Sequence, residues 1–259
     1  MFLSEVIGLA GPALELATVL LLLRKRLWRV YTFLFIYALW LLVANCAILG
    51  TFFYFSKVYP DFPGVYPALY WKIYWNIDSI DVLLRFVVIW EVFRQTFPKR
   101  SGLNKSLSKG LGIIALALLA CACGMFLIYQ NYTGPRSIHL ALDRSFGFVQ
   151  ALMILGTLIT ARYYGVRYGR NIRGIALAFG AWVSISTATN AMADLTNSFL
   201  PYWYYLRPLS FVVMIGVWIW ALWVYEPNPP IMESEALELS EWTQEWNRTI
   251  SATRTIIRP

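Results

Sequence analysis

Tyr74, Asp78, Asp81 and Arg85 recur at steps of four, three and four residues inside an otherwise apolar stretch, Ala68 to Arg94. In a helix these steps place the four side chains on one face. Asp81 and Arg85 are spaced to pair with each other, which leaves Asp78 as a carboxylate with no base on its own helix. An ionisable group inside a bilayer is expensive and by default marks a functional site. The chemistry open to such a stripe is capture of a cation or exchange of protons among crowded carboxylates. The alternative is purely structural: Asp81 and Arg85 neutralise each other inside a bundle and fix helix register.

Further polar residues fall at similar depth in other apolar stretches. One, from 139 to 162, carries His139, Asp143, Arg144 and Gln150, with Gly147 and Ala151 small enough for close helix approach. Another, from 174 to 195, carries Gly180, Ser184, Thr187, Asn190 and Asp194 at steps of four, three, three and four, which predicts one shared face. Arg207 and Glu5 stand near the ends of two more. The acids Glu5, Asp78, Asp81, Asp143 and Asp194 outnumber Arg85, Arg144 and Arg207, so a small cationic ligand or a proton fits better than an anion. The candidate ligand-binding set is Tyr74, Asp78, Asp81, Arg85, Asp143, Gln150, Asn190 and Asp194. Glu15, one turn after Pro12, is expected to pair with a base elsewhere in the bundle or to meet a partner at a kink. Glu91 and Arg94 are expected to form an i,i+3 pair near one surface.

The elements that must position these groups follow from composition. Of 259 residues, 59% are hydrophobic and only 14% charged, with a mean hydropathy of +0.56, outside the range of ordinary soluble domains. A hydrocarbon core about 30 Å thick needs roughly 20 apolar residues per helical crossing. Seven stretches qualify: 3–23, 30–55, 68–94, 111–130, 139–162, 174–195 and 203–225. The expected fold is all-α, an integral membrane seven-helix bundle over residues 1–225, followed by a tail over 226–259. A large soluble helical protein is the alternative, but stretches such as Gly112 to Leu127 offer no polar face. The first stretch has no basic residue before it and no small-residue cleavage pattern after it, so it is expected to be retained.

The bases cluster in alternate loops: Arg24, Lys25, Arg26 and Arg29; Lys99, Arg100, Lys105 and Lys109; Arg167, Arg170 and Arg173. By the positive-inside rule the N-terminus is expected outside and the C-terminus inside. The formal charge of +8 is therefore a topology signal, and no nucleic-acid motif accompanies it. Tyr and Trp residues crowd the outer loops, among them Tyr70, Trp71, Tyr202 and Trp203, either as an interfacial belt or as the wall of an outward pocket. After Pro227, Pro229 and Pro230, Met232, Ala236, Leu239, Trp242, Trp246, Ile250 and Ile257 recur at helical spacing and predict an amphipathic cytoplasmic helix over 231–258. From Glu226 on, six acids face three bases; such a helix suits the basic loops or a cytoplasmic protein partner rather than anionic lipid.

Several classes are disfavoured. The three cysteines all fall within predicted spans, where they act as small apolar residues. One histidine cannot build a clustered metal site, and neither a phosphate loop nor a hydrolase pattern is present. No cofactor, metal or enzymatic activity is expected. Seven spans with an outer N-terminus resemble the topology of rhodopsins and G-protein-coupled receptors, but no lysine for a chromophore occurs between Phe211 and Tyr225. The run Val88-Ile89-Trp90-Glu91-Val92-Phe93-Arg94 resembles a family of small uncharacterised bacterial multi-pass membrane proteins. That resemblance spans the seven stretches and implies a bacterial inner membrane, with no activity attached. The sequence reading is a sensor or receptor-like module with an outward-facing polar pocket. A secondary transporter or proton-coupled carrier, and a structural subunit of a membrane complex, are the alternatives.

Overall fold

The computed structural model describes residues 2–58, 68–97, 112, 116, 117, 120, 135–163, 165–167, 169–196, 199–226, 241, 244 and 248. Some side chains within these ranges, including those of Glu5, His139 and Asp194, are outside the description. Among the described residues the elements are helical: α1 (Phe2–Arg24), α2 (Thr32–Val58), α3 (Ala68–Thr96), α4 (Pro135–Tyr163), α5 (Arg170–Leu195) and α6 (Leu200–Trp223), with a 3₁₀ turn at Leu27–Arg29. They coincide with six of the seven predicted stretches. The other, 111–130, lies almost wholly outside the described residues, so six helices stand here rather than seven. Of the predicted tail helix, residues 241, 244 and 248 are described and are helical.

Four of the helices are long and apolar enough to cross a membrane: α2 over Thr32–Phe55, α4 over Asp143–Tyr163, α5 over Arg170–Met192 and α6 over Tyr205–Trp223. The distribution of polarity agrees. Leu16, Leu20 and Leu23 on α1, Leu152, Leu155 and Ile159 on α4, and Tyr205, Leu209 and Val213 on α6 are exposed at three- and four-residue spacings. Meanwhile Glu15, Arg85, Asp143, Gln150 and Asn190 are buried. Large apolar stripes outside and charges inside suit a bundle whose solvent is lipid. The chain is an integral membrane protein.

The helices form a closed ring: α1 packs on α2 and α6, α2 on α3, α3 on α4, α4 on α5 and α5 on α6, with α3 also reaching α5 across the middle. Their directions can be read from the contacts. Leu34 meets Glu91 while Val30 meets Gln95, so α2 and α3 are antiparallel. Asn190 meets Asp143 while Gly180 faces Ile154, which makes α4 and α5 antiparallel. Trp182 packs on Phe211 and Gly174 faces Ala221, so α5 and α6 are antiparallel too. By contrast α1 and α6 run parallel, Gly11 facing Phe211 and Lys25 lying over Trp223. So do α3 and α4, where Phe86 meets Phe146 and Phe93 and Phe97 cluster with Ala161.

Small residues set the tightest crossings. A Cβ built on Gly147 would stand 2.0 Å from Thr187 Oγ1, and one on Gly174 would stand 2.5 Å from the Ala221 Cβ. Both glycines therefore let backbones approach, as expected for membrane helices. The core between them is aromatic: Tyr37, Phe179, Trp182 and Trp218 meet with ring centroids 5.6 to 6.2 Å apart.

Three polar side chains secure helix ends. Glu91 does not pair with Arg94, as its spacing predicts, but accepts the Leu34 backbone N–H at 2.6 Å. The unsatisfied first-turn N–H groups of α2 compete successfully for the carboxylate, and Arg94 instead lies over the Phe33 ring. One turn on, Gln95 donates to the Val30 carbonyl at 2.7 Å. At the start of α5, Asn171 donates to the Ala221 and Val224 carbonyls and accepts the Glu226 N–H, closing the C-terminus of α6.

Candidate functional site: an intramembrane charge network

The polar stripe of α3 points into the ring. Arg85, 1% exposed, is held by Asp81 one turn earlier, with Nε and Nη2 donating to the same Oδ2 at 2.9 and 2.6 Å. Its remaining arm, Nη1, donates to Asp143 Oδ1 on α4 at 2.7 Å. The guanidinium plane lies over the Trp182 ring at 4.5 Å, a cation–π contact that gains strength where water is excluded. The predicted internal pair is thus present, and it extends to a second carboxylate.

Asp143 is shared. Its Oδ2 accepts the Asn190 side-chain amide from α5 and, at 3.4 Å, Arg207 Nη2 from α6. The same Arg207 nitrogen donates to Asp78 Oδ1 at 2.9 Å. The carboxylate without a base on its own helix therefore receives one from the last helix of the ring. Three carboxylates and two guanidiniums from α3, α4 and α6 form one chain, Asp81–Arg85–Asp143–Arg207–Asp78. Such pairing makes buried charge tolerable.

Exposure is lowest in the middle of this chain and rises toward both ends, the Asp81 side chain being 12% exposed. The Arg85 and Asp143 side chains are 1% and 3% exposed, whereas Arg207 and Asp78 are 14% and 15% exposed. Tyr74, half-buried and stacked on Tyr70, lies one turn before Asp78 within electrostatic reach of it and of Arg207. The Arg207–Asp78 end of the network lies toward the N-termini of α3 and α6.

Around the buried middle several polar atoms have no hydrogen-bond partner among the described residues: Tyr37 Oη, Asp81 Oδ1, Gln150 Oε1, Trp182 Nε1 and Ser186 Oγ. Gln150 uses its amide nitrogen on the Val82 carbonyl at 2.8 Å. On α1, Glu15 is fully buried and pairs with an amide rather than a base: Asn45 Nδ2 donates to Oε1, and Oε2 has no partner among the described residues.

Of the sequence-derived set, Asp78, Asp81, Arg85, Asp143 and Asn190 meet in the network, with Tyr74 one turn from Asp78 and Gln150 joining α4 to α3. Asp194 belongs to the last turn of α5, and its side chain is outside the description. Of the predicted face of α5, Gly180, Thr187 and Asn190 all meet α4, and Ser184 is the one described member that is corrected. Ser184 is exposed and returns its hydroxyl to the Gly180 carbonyl at 2.8 Å, while the buried line runs through Phe179, Trp182, Ser186 and Asn190. Apolar and aromatic packing sets the helix rotation, and Ser184 satisfies itself locally. Sequence reasoning placed Arg207 near the end of a stretch and left it out of the candidate set; its being the one charged residue within Leu200–Trp223 was the available signal. Trp182 carried none.

Among the described residues no group of histidine, cysteine and acidic side chains is arranged to hold a metal ion. Compared with protein-family models, curated proteins and solved structures, the chain matches none.

Proposed function

We propose that this chain is a receptor-like membrane module in which a small cation or a proton competes with Arg207 for Asp78. The observation that carries the reading is the shared Asp143: it joins a part-exposed ion pair to a buried one, so a charge change at Asp78 is felt by Arg85. A ligand biases a conformation only by binding one arrangement better than another. Here the two arrangements are Arg207 on Asp78 and Arg207 withdrawn onto Asp143. The basic ends of α1 and α4 support a cytoplasmic position for that face. The parallel course of α3 and α4 supports a further crossing between them, hence the seven-span topology with the N-terminus outside. The tail over 231–258 would then be available to a cytoplasmic partner. Membership of the small bacterial multi-pass family, with an inner-membrane location, is part of the same proposal and rests on residues 88–94.

The test is thermal unfolding of the purified protein across a panel of small amines, metal cations and pH values, with two variants alongside. Asp78→Asn is expected to abolish selective stabilisation. Arg207→Gln removes the internal competitor and is expected to tighten cation binding, by about tenfold if it frees roughly 1.4 kcal/mol. Equal responses from all three proteins would reject the reading.

A proton-coupled carrier has one observation in its favour. The unpartnered atoms of Tyr37, Gln150, Trp182 and Ser186, with Glu15 on α1, continue the polar interior beyond Arg85. Proteoliposome flux that follows a pH gradient and is lost in Glu15→Gln would favour the carrier over the receptor.

A further inference from the structure

A crevice of about 470 Å³ opens between the C-terminal turns of α4 and the first turns of α5, lined by Leu158, Ile159, Ala161, Arg162, Val166, Arg173 and Leu177 among others. Its size lies within the range of small-molecule sites. Its shape follows from the sequence of the connection. Gly165 adopts φ +62°, its N–H donates to the Arg162 carbonyl at 3.2 Å, and the Val166 N–H donates to the Ala161 carbonyl at 2.8 Å. This is the paired-bond helix stop that needs a left-handed residue, supplied here by glycine. Val166 then packs with Ala161 against Phe93 and Phe97 and forms the floor.

The crevice has two chemistries. Ile159 and Leu177 are 58% and 50% exposed on the outer surface of helices that cross the membrane, so that wall faces hydrocarbon. Arg162 and Arg173 are exposed at its mouth, and neither has an ion pair or side-chain hydrogen bond among the described residues. The surrounding end of the bundle is strongly basic: Arg24, Lys25, Arg26, Arg29, Arg94, Arg167 and Arg170 belong to it. Several of these are already engaged, Lys25 with Trp223, Arg170 with Trp220 and Arg94 with Phe33. Arg162 and Arg173 are the cations left at the crevice mouth for an outside partner.

We propose that this crevice binds one anionic phospholipid, with its phosphate between Arg162 and Arg173 and an acyl chain along Leu158, Ile159 and Leu177. Charge complementarity selects the occupant: an acidic headgroup meets two guanidiniums suited to phosphate, and the apolar wall has no use for a soluble anion. The site is remote from Asp78 and stands independently of the receptor reading.

Native mass spectrometry of the detergent-solubilised protein titrated with phosphatidylglycerol or phosphatidylcholine tests it. The native protein is expected to retain one phosphatidylglycerol selectively. At about fivefold per basic residue, Arg162→Gln with Arg173→Gln should weaken that binding about thirtyfold. Leu177→Asp, which keeps both arginines, should weaken it as well by removing the acyl wall. Unchanged retention in the double variant, equal retention of the two lipids, or displacement by millimolar inorganic phosphate would each overturn the proposal. The double variant's unfolding temperature is expected to stay native, since neither arginine side chain bonds to another of the described residues.

Discussion

Asp143 accepts from three helices at once, and its removal takes one acceptor from each of two guanidiniums and the partner from the Asn190 amide. Asp143→Ala is expected to cost about 3–5 kcal/mol in an unfolding titration, the range for breaking a buried pair. Asp78→Ala should cost roughly 1 kcal/mol, because its pair is part-exposed and Arg207 keeps Asp143 as a second acceptor. Equal losses would mean that the gradation of exposure has no energetic counterpart. These residues were legible to very different degrees. The α3 stripe was readable because charge in an apolar run can only turn inward, and four residues at helical spacing turn together. Arg207 was less so, since a single base near a span end also reads as an interfacial anchor. Trp182 was not legible: which of 12 tryptophans lies under a guanidinium depends on helix rotation, which local spacing does not determine.

At the scale of elements, glycines and end-capping side chains decide how helices meet. Gly147→Val and Gly174→Val each put methyl groups where Thr187 and Ala221 already stand, and each should destabilise by about 1–3 kcal/mol or shift α5 bodily; unfolding titrations of the single variants would check this. Gly50 and Gly156 have open space beyond them, and the same exchange there should be close to neutral. Glu91→Ala removes an acceptor from the α2 N-terminus and is expected to cost about 1–2 kcal/mol, with Glu91→Gln recovering part of it. The small residues on α4 were readable as a close-approach signal in the sequence. The partner of Glu91 was not, because an i,i+3 base is visible locally whereas an unsatisfied helix end from another segment becomes a competitor only after folding.

For the whole molecule, hydropathy alone located the helices, because lipid demands long apolar runs with every backbone group bonded internally. The order of helices around the ring and their directions required contacts far apart in sequence. The parallel pairs α1–α6 and α3–α4 place the N-terminus of α1 and the C-terminal end of α6 at opposite faces of the bundle. Cysteines introduced at those two ends should therefore never react together with a membrane-impermeant maleimide applied from one side, and simultaneous labelling would contradict the arrangement. The charge network also bears on biogenesis. Helix α3 carries Arg85 already matched to Asp81 on its own surface, whereas α6 arrives with Arg207 and no acid of its own. Its lodging depends on neighbours already in place, so a chain deleted of α3 and α4 should leave α6 stalled during translocon release, detectable as a glycosylation tag beyond it that switches sides.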